Sequence, residues 1–330
     1  AHFLDFETTE NPPVMVNNYD WFKEFGFLEF LRDVGKHITI NYMMSKESVK
    51  KRISGDTGIS YTEFAYQLLQ GYDFAHLYQH HGARIQVGGS DQWGNITTGV
   101  ELIRRMGVSE GEERAYAVVC PLMTREDGSK FGKTADGESV WLDPKRTSPY
   151  QFYQYWLRVG DEDAEKYIKI FTLKEKEEIE ALIATHQEDP GRRTLHKALA
   201  EDITQRVHGE KGLADAQLLT DFFFGRIKSQ EALAQLSLEQ WHEVANSSER
   251  REIPRSSLET GMGILDVMAE TGISQSKGEA RRAIEKDRSV KINMEACTDS
   301  AHALGLKDTF HDKYLYIQRG KKNKFILELV

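Results

Sequence analysis

The sequence predicts an α/β chain: an open parallel-sheet domain first, then an all-helical segment, then a small mixed α+β domain. Three observations carry that expectation. Residues 83–88 and 114–123 read as strands and 90–106 between them as a helix, and strand–helix–strand is the unit of a parallel sheet. From Ser148-Pro149 to about residue 230 the pattern is helical throughout, rich in Glu, Lys, Ala and Leu. From Gly261 to Val330 helices give way to short alternating strands such as Val290-Lys291-Ile292. Residues 20–80 add mostly helices ahead of the first strand. The expected divisions are 1–146, 147–230, a polar linker over 231–260 marked by Asn246-Ser247-Ser248 and Pro254-Arg255-Ser256-Ser257, and 261–330.

Composition narrows the class. Of 330 residues, 39% are hydrophobic and 29% charged, which is the balance of a folded globular protein. No apolar run is long enough to span a bilayer. Two cysteines, Cys120 and Cys297, lie far apart; that excludes a disulfide framework or a cysteine zinc site and fits a reducing, cytoplasmic setting. The net charge of −9 argues against a nucleic-acid partner until its placement is considered. Residues 261–330 hold twelve Lys and Arg against ten Asp and Glu, and local clustering decides phosphate binding more than the total does.

Four segments can carry chemistry. In the first, Ser60 and Glu63 form a capping box that starts a helix, and Tyr66, Gln70 and Asp73 follow at i, i+4, i+7 on one face. A phenol, an amide and a carboxylate on an otherwise apolar helix suit an ammonium group; the alternative is a solvated stripe with one buried tyrosine. The second, Gln86-Val87-Gly88-Gly89-Ser90-Asp91-Gln92-Trp93-Gly94-Asn95, ends a strand and opens a helix. Paired glycines let a ligand approach the backbone, at the strand end where open α/β sheets bind ligands. Asp91 can accept from ribose hydroxyls, or simply cap the turn.

The third segment, Asp127-Gly128-Ser129-Lys130-Phe131-Gly132-Lys133-Thr134, has three residues between its glycines where a P-loop has four. What remains is a glycine-containing loop with two lysines, able to close over a triphosphate and balance the charge of departing pyrophosphate, or else an exposed basic turn. The fourth is basic. Lys277, Arg281 and Arg282 face outward on a helix capped by Ser276 and Glu279. Arg319, Lys321, Lys322 and Lys324 surround a hairpin turn. Two such clusters in one small domain suggest RNA backbone contact, against the alternative of a solvated face.

Together these segments resemble bacterial tyrosyl-tRNA synthetases, class I enzymes. Four phrases carry the resemblance: Asn17-Asn18-Tyr19-Asp20-Trp21, Leu69-Gln70-Gly71-Tyr72-Asp73-Phe74, Gly88 through Asn95, and Lys130-Phe131-Gly132-Lys133-Thr134. The last is similar to the family's version of the class I Lys-Met-Ser-Lys-Ser loop. The resemblance implies a Rossmann-like catalytic domain, an anticodon-side helical domain containing Val207-His208-Gly209-Glu210, and an S4-like RNA-binding domain from Gly261 onward. It implies that Tyr66, Gln70 and Asp73 hold the ammonium group of L-tyrosine, with Gln86, Gln92 and Asn18 around the amino acid. Gly89 and Asp91 would meet the ribose of ATP, and Lys130 and Lys133 its phosphates. ATP would be a substrate, with Mg2+; tRNA(Tyr) and a second copy of the chain would be the partners.

Two departures accompany the resemblance. No His-Ile-Gly-His motif occurs, so the chain is expected to lack the family's first nucleotide-fold half. Met294 follows Asn293 where S4 domains often place Gly, so the turn there is expected to be reshaped. Two rival readings are a tryptophanyl-tRNA synthetase, which shares the fold, and a non-catalytic S4-type RNA-binding protein. The tail and the Tyr66/Gln70/Asp73 stripe argue against the first, and residues 86–95 and 130–134 against the second.

Overall fold

The computed structural model describes residues 4–330 apart from 56–57, 109–113, 125, 127, 129–130, 133–138 and 322. The chain forms two compact units, one ending at Phe131 and one running from Gly132 to Val330.

The first unit opens with four short helices, α1 (Tyr19–Phe22), α2 (Phe27–Asp33), α3 (Ile40–Met44) and α4 (Glu47–Ile53). The long helix α5 (Tyr61–His81) follows, then strand β1 (Ile85–Gly89), helix α6 (Trp93–Met106) and strand β2 (Tyr116–Cys120). The strands pair in parallel, Ile85 opposite Tyr116 and Gly89 opposite Cys120. This is the expected strand–helix–strand unit, close to the expected bounds. Helix α5 starts where expected: Ser60 Oγ accepts from Glu63 N at 3.2 Å. The reciprocal half of the capping box is not made, because the Glu63 carboxylate pairs with the Arg52 guanidinium at 2.7 and 2.9 Å.

Helices α5 and α6 pack through glycines. A Cβ on Gly71 would come within 2.9 Å of Leu102 Cδ1 and 3.3 Å of the Gly99 nitrogen, and one on Gly99 within 2.9 Å of Phe74 Cβ. The close approach brings Phe74, Ala75, Tyr78 and Ile103 into one buried cluster. Val34, Ile38, Met43 and Leu102 form a second, beneath the short helices.

The second unit begins with helices α7 (Pro149–Leu157), α8 (Asp161–Phe171), α9 (Lys176–Glu188) and α10 (Thr194–Phe223), the last broken at Gly209. Helices α11 (Gln230–Ala234) and α12 (Leu238–Asn246), strand β3 (Glu249–Ile253) and helix α13 (Arg255–Glu259) occupy the stretch expected as a linker. That expectation took polarity for irregularity. Trp241, Val244 and Ala245 are fully buried, and Trp241 stacks on Phe310 with ring centroids 4.7 Å apart. They share a core with Leu219 and Phe222 of α10 and with Tyr314, Tyr316 and Ile326 farther on, so helical and C-terminal segments are continuous here.

The remainder comprises β4 (Met262–Gly263), α14 (Ile264–Glu270), α15 (Lys277–Arg281), β5 (Val290–Ile292), β6 (Glu295–Ala296), β7 (Ala303–Leu304), β8 (Tyr314–Arg319) and β9 (Asn323–Leu329). The main sheet has the order β3-β9-β8-β5-β6. It is antiparallel except for β3, which runs parallel to β9 with Glu249 opposite Phe325. Helix α15 continues into a π-helical turn over Arg282–Lys286. Between β5 and β6, Asn293 and Met294 both adopt positive φ, 48° and 72°. That is the two-residue hairpin geometry that Asn-Gly usually supplies. Asn293 fixes it by accepting from Tyr316 N at 3.1 Å and donating to Asp308 O at 2.6 Å, so Met294 is carried in a tight turn.

Candidate functional site

The polar stripe of α5 and the turn after β1 come together in the first unit. Asn95, on the first turn of α6, donates through Nδ2 to Gln70 Oε1 at 3.0 Å and to Gln92 Oε1 at 3.5 Å. Gln92 Nε2 donates to Asp91 Oδ2 at 2.8 Å. A row of polar side chains therefore runs from the carboxyl end of β1 to the middle of α5. The turn depends on its glycines: a Cβ on Gly89 would lie 2.6 Å from Asp91 Oδ1, and one on Gly88 3.0 Å from Ile96 Cδ1. Any larger residue at Gly89 displaces the Asp91 carboxylate.

One turn farther along α5, Asp73 is partly buried. Its Oδ1 accepts from Trp21 Nε1 at 2.9 Å and its Oδ2 from Asn18 Nδ2 at 3.2 Å. Burial raises the pKa of this carboxyl above the ordinary carboxylate range, and the two N–H donors oppose the rise. Tyr66, at the other end of the stripe, is 57% exposed. Gln86 is half-buried on β1, and its Oε1 has no hydrogen-bond partner among the described residues. The structure thus forms two hydrogen-bonded groups, Asp91–Gln92–Asn95–Gln70 and Asn18–Asp73–Trp21, on successive turns of α5. Lys130 and Lys133 lie outside the described residues. Sequence reasoning quoted Trp21 and Asn95 but assigned neither a role. The signal was there: Trp21 follows Asn18 by one helical turn, and Asn95 follows Gln92 by one.

The basic residues of the C-terminal region divide into two groups. Arg281 and Lys321 are exposed, and Arg282 is exposed with a long 3.9 Å approach to Asp287. Lys277, also exposed, pairs with Asp266. Arg319 is held inside the domain, donating to Ile273 O at 2.8 Å and to Glu279 Oε1 at 2.5 Å. Lys324 donates to Phe223 O at 2.8 Å, and burial lowers its pKa. Lys322 lies outside the described residues. The capping box expected at α15 is half-made: Ser276 Oγ accepts from Glu279 N at 3.2 Å, but the Glu279 carboxylate accepts from Gln275 N and Arg319.

Among the described residues, one cluster could hold a metal: Asp161, His186 and His196. His186 Nε2 lies 3.0 Å from Asp161 Oδ1, and His196 Nε2 lies 3.1 Å from Val159 O. Both Nδ1 atoms are buried without a partner. Binding a cation through Nε2 would leave each ring with a buried, unpaired N–H, whereas neutral rings donating through Nε2 leave only a bare lone pair. The arrangement suits a structural tie among α8, α9 and α10.

Comparison with known proteins meets this geometry. The family of class I tRNA synthetases for W and Y matches residues 1–225, and the C-terminal domain of SYY-like tyrosine–tRNA ligases matches residues 245–327. The chain is 50% identical over 331 residues to a tyrosine–tRNA ligase of Bacteroides thetaiotaomicron, covering 99% of this chain and 75% of that protein. It is 50% identical over 334 residues to one of Flavobacterium johnsoniae, covering 100% and 76%. Coverage of three quarters does not bear out the expected loss of the first nucleotide-fold half. Among solved structures, a C-terminally truncated mitochondrial tyrosyl-tRNA synthetase of Coccidioides posadasii aligns with TM-score 0.50 and 34% identity, over 61% of this chain and 56% of that one. Its counterpart from Aspergillus nidulans aligns with TM-score 0.51 and 30% identity, over 62% and 57%. Neither a tryptophanyl enzyme nor a non-catalytic RNA-binding protein is favoured by these likenesses. No described helix is long and apolar enough to cross a membrane. With its class I fold and these relatives, the chain belongs to the tyrosyl-tRNA synthetases, the tyrosine–tRNA ligases.

Proposed function

We propose that the first unit lays L-tyrosine along α5 for activation by ATP. The observation that carries this is the hydrogen-bonded row Asp91–Gln92–Asn95–Gln70, which joins the nucleotide end of β1 to the polar stripe. Asp73 lies seven residue steps along the helix from Tyr66, about 10 Å of rise. That is longer than one ammonium group bridges, so the expected three-residue ammonium site divides. Tyr66 and Gln70 hold the ammonium group; Asp73, fixed by Asn18 and Trp21, accepts from the phenol hydroxyl. Gln86 and Gln92 line the space between.

ATP, with Mg2+ on its phosphates, is a substrate. Its ribose meets Asp91 beside Gly89, and Lys130 and Lys133 take its phosphates. The tyrosine carboxylate attacks the α-phosphorus, the bond to the bridging oxygen breaks, and pyrophosphate leaves. The terminal ribose hydroxyl of tRNA(Tyr) then attacks the tyrosyl-adenylate carbonyl and releases AMP. No side chain acts as nucleophile; positioning and charge stabilisation supply the acceleration.

The division of labour follows the sequence: catalysis in 1–146, an anticodon-side helical part in 147–230, and S4-like RNA binding in 261–330. The exposed Arg281, Arg282 and Lys321, with Lys277 and Lys322, supply the phosphate contacts. The enzyme is cytoplasmic and works as a homodimer, with Tyr61, 66% exposed at the first position of α5, at the contact.

Tyrosine-dependent ATP–pyrophosphate exchange tests the reading. Asp73→Asn is expected to raise KM for tyrosine and to reduce discrimination against phenylalanine, since the hydroxyl loses its charged acceptor. Unchanged discrimination in a folded Asp73→Asn enzyme removes Asp73 from the phenol end.

A further inference from the structure

We propose that His76 is a positioning residue for the amino-acid substrate: by stacking on the Trp21 indole it holds the N–H that fixes the Asp73 carboxylate. The proposal rests on the reading of Asp73 as a tyrosine contact. Asp73 and His76 are three residues apart on α5 and so share a side of the helix. The Trp21 indole reaches both. Its ring lies nearly parallel to the imidazole, centroids 4.3 Å apart and planes 17° off. Its Nε1 donates to Asp73 Oδ1 at 2.9 Å.

Trp21 needs such a support. It sits on α1, a single turn of four residues without a side-chain N-cap bond and with no buried residue. A helix that short does not hold its own conformation. The neighbouring Phe22 packs with Tyr72 at 5.6 Å and Phe30 at 6.0 Å, which anchors the turn but leaves the orientation of the indole open. The flat imidazole defines that orientation. His76 is itself backed by His80, with centroids 4.4 Å apart. Burial, together with His80 and His81, lowers the pKa of His76, so near neutral pH it stacks as an uncharged ring.

The consequence falls on Asp73. A desolvated carboxylate with two N–H donors is oriented; with one it is free to rotate. Loss of the imidazole therefore acts on tyrosine binding through two intermediates without touching the reacting atoms.

The test uses pyrophosphate exchange and thermal unfolding on His76→Ala, His76→Phe and Asp73→Asn enzymes. His76→Ala is expected to raise KM for tyrosine about fivefold, less than the loss of a whole hydrogen bond to a carboxylate because the indole N–H is loosened and not removed, with KM for ATP and kcat nearly unchanged. His76→Phe, which keeps a flat ring, is expected to restore KM. If Asp73→Asn leaves KM for tyrosine unchanged, the reading of Asp73 fails and the inference with it. If Asp73→Asn raises KM but His76→Ala does not, or lowers only the unfolding temperature, the inference alone is overturned. Failure of His76→Phe to restore KM in an equally stable enzyme also overturns it.

Discussion

The Asn95 side-chain amide donates to Gln70 Oε1 at 3.0 Å, so the first turn of α6 sets the position of the amide in the middle of α5. Asn95→Ala removes that donor and leaves Gln70 free to turn. KM for tyrosine is expected to rise about three- to tenfold, the range of one such hydrogen bond, with a smaller change in kcat. Steady-state pyrophosphate exchange at varied tyrosine measures it. An unchanged KM means that Gln70 is oriented by the helix alone.

Gly99 marks the closest approach of α5 and α6. A methyl group there meets Phe74 Cβ at 2.9 Å, and neither backbone can yield without opening the cluster around Phe74 and Ile103. Gly99→Ala is expected to destabilise the first unit by about 1–3 kcal/mol, the usual range for overpacking. Urea unfolding followed by circular dichroism reads the shift. A midpoint equal to that of the parent would show that the helices separate at little expense.

His196 makes the helical region sensitive to acid. Burial, with Arg193 nearby, lowers its pKa from the ordinary 6.5. The folded state therefore binds a proton less readily than the unfolded chain. Stability is full above the ordinary value of 6.5 and is lost as pH falls below it towards the lowered folded one. Unfolding temperature measured from about pH 8 to about pH 5 is expected to drop over this range, and less so in His196→Gln. Parallel pH curves for the two proteins would assign the acid sensitivity elsewhere.

The two groups of basic residues separate by experiment. Replacing Arg281, Arg282 and Lys321 with Ala is expected to weaken tRNA binding. Its salt dependence should become shallower by roughly 0.7–0.9 for each phosphate no longer neutralised. Pyrophosphate exchange should persist. Arg319→Ala is expected to act on stability, by about 1–3 kcal/mol, because it leaves the carbonyl of buried Ile273 without this donor. Equal loss of tRNA affinity in both variants, without loss of stability, would erase the distinction.

Tyr61 tests assembly. Tyr61→Asp places a charge where an aromatic ring is proposed to pack against a second copy. Light scattering is expected to shift towards monomer, and an unchanged mass would move the contact elsewhere.

The strand–helix–strand unit was legible because its signals are local: two apolar runs, a Gly88-Gly89 break, and helical periodicity between. The face shared by Tyr66, Gln70 and Asp73 followed from helical spacing for the same reason. What the sequence hid was the destination of polar side chains. Glu63 read as half of a capping box, yet Arg52 takes its carboxylate. Arg319 and Lys324 read as outward charges, yet each is held by a carbonyl from a distant segment. Residues 231–260 read as a linker because their polar surface outnumbers the few positions, such as Trp241, that bury them. Each miss is a tertiary pairing, and spacing along the chain carries no information about it.

The parallel pairing of β3 with β9 has a consequence for synthesis. Strand β9 lies inside the sheet, between β3 and β8, and in sequence it follows β3 only after α13, α14, α15 and five further strands. While the ribosome adds the residues between Glu249 and its partner Phe325, β3 has no neighbour to bond. At about 5–20 residues per second that interval lasts several seconds, during which an unpaired strand edge and the apolar Ile253 are open to other nascent chains. The charges along β3 (Glu249, Arg250, Arg251 and Glu252) keep that waiting edge hydrated until its partner arrives.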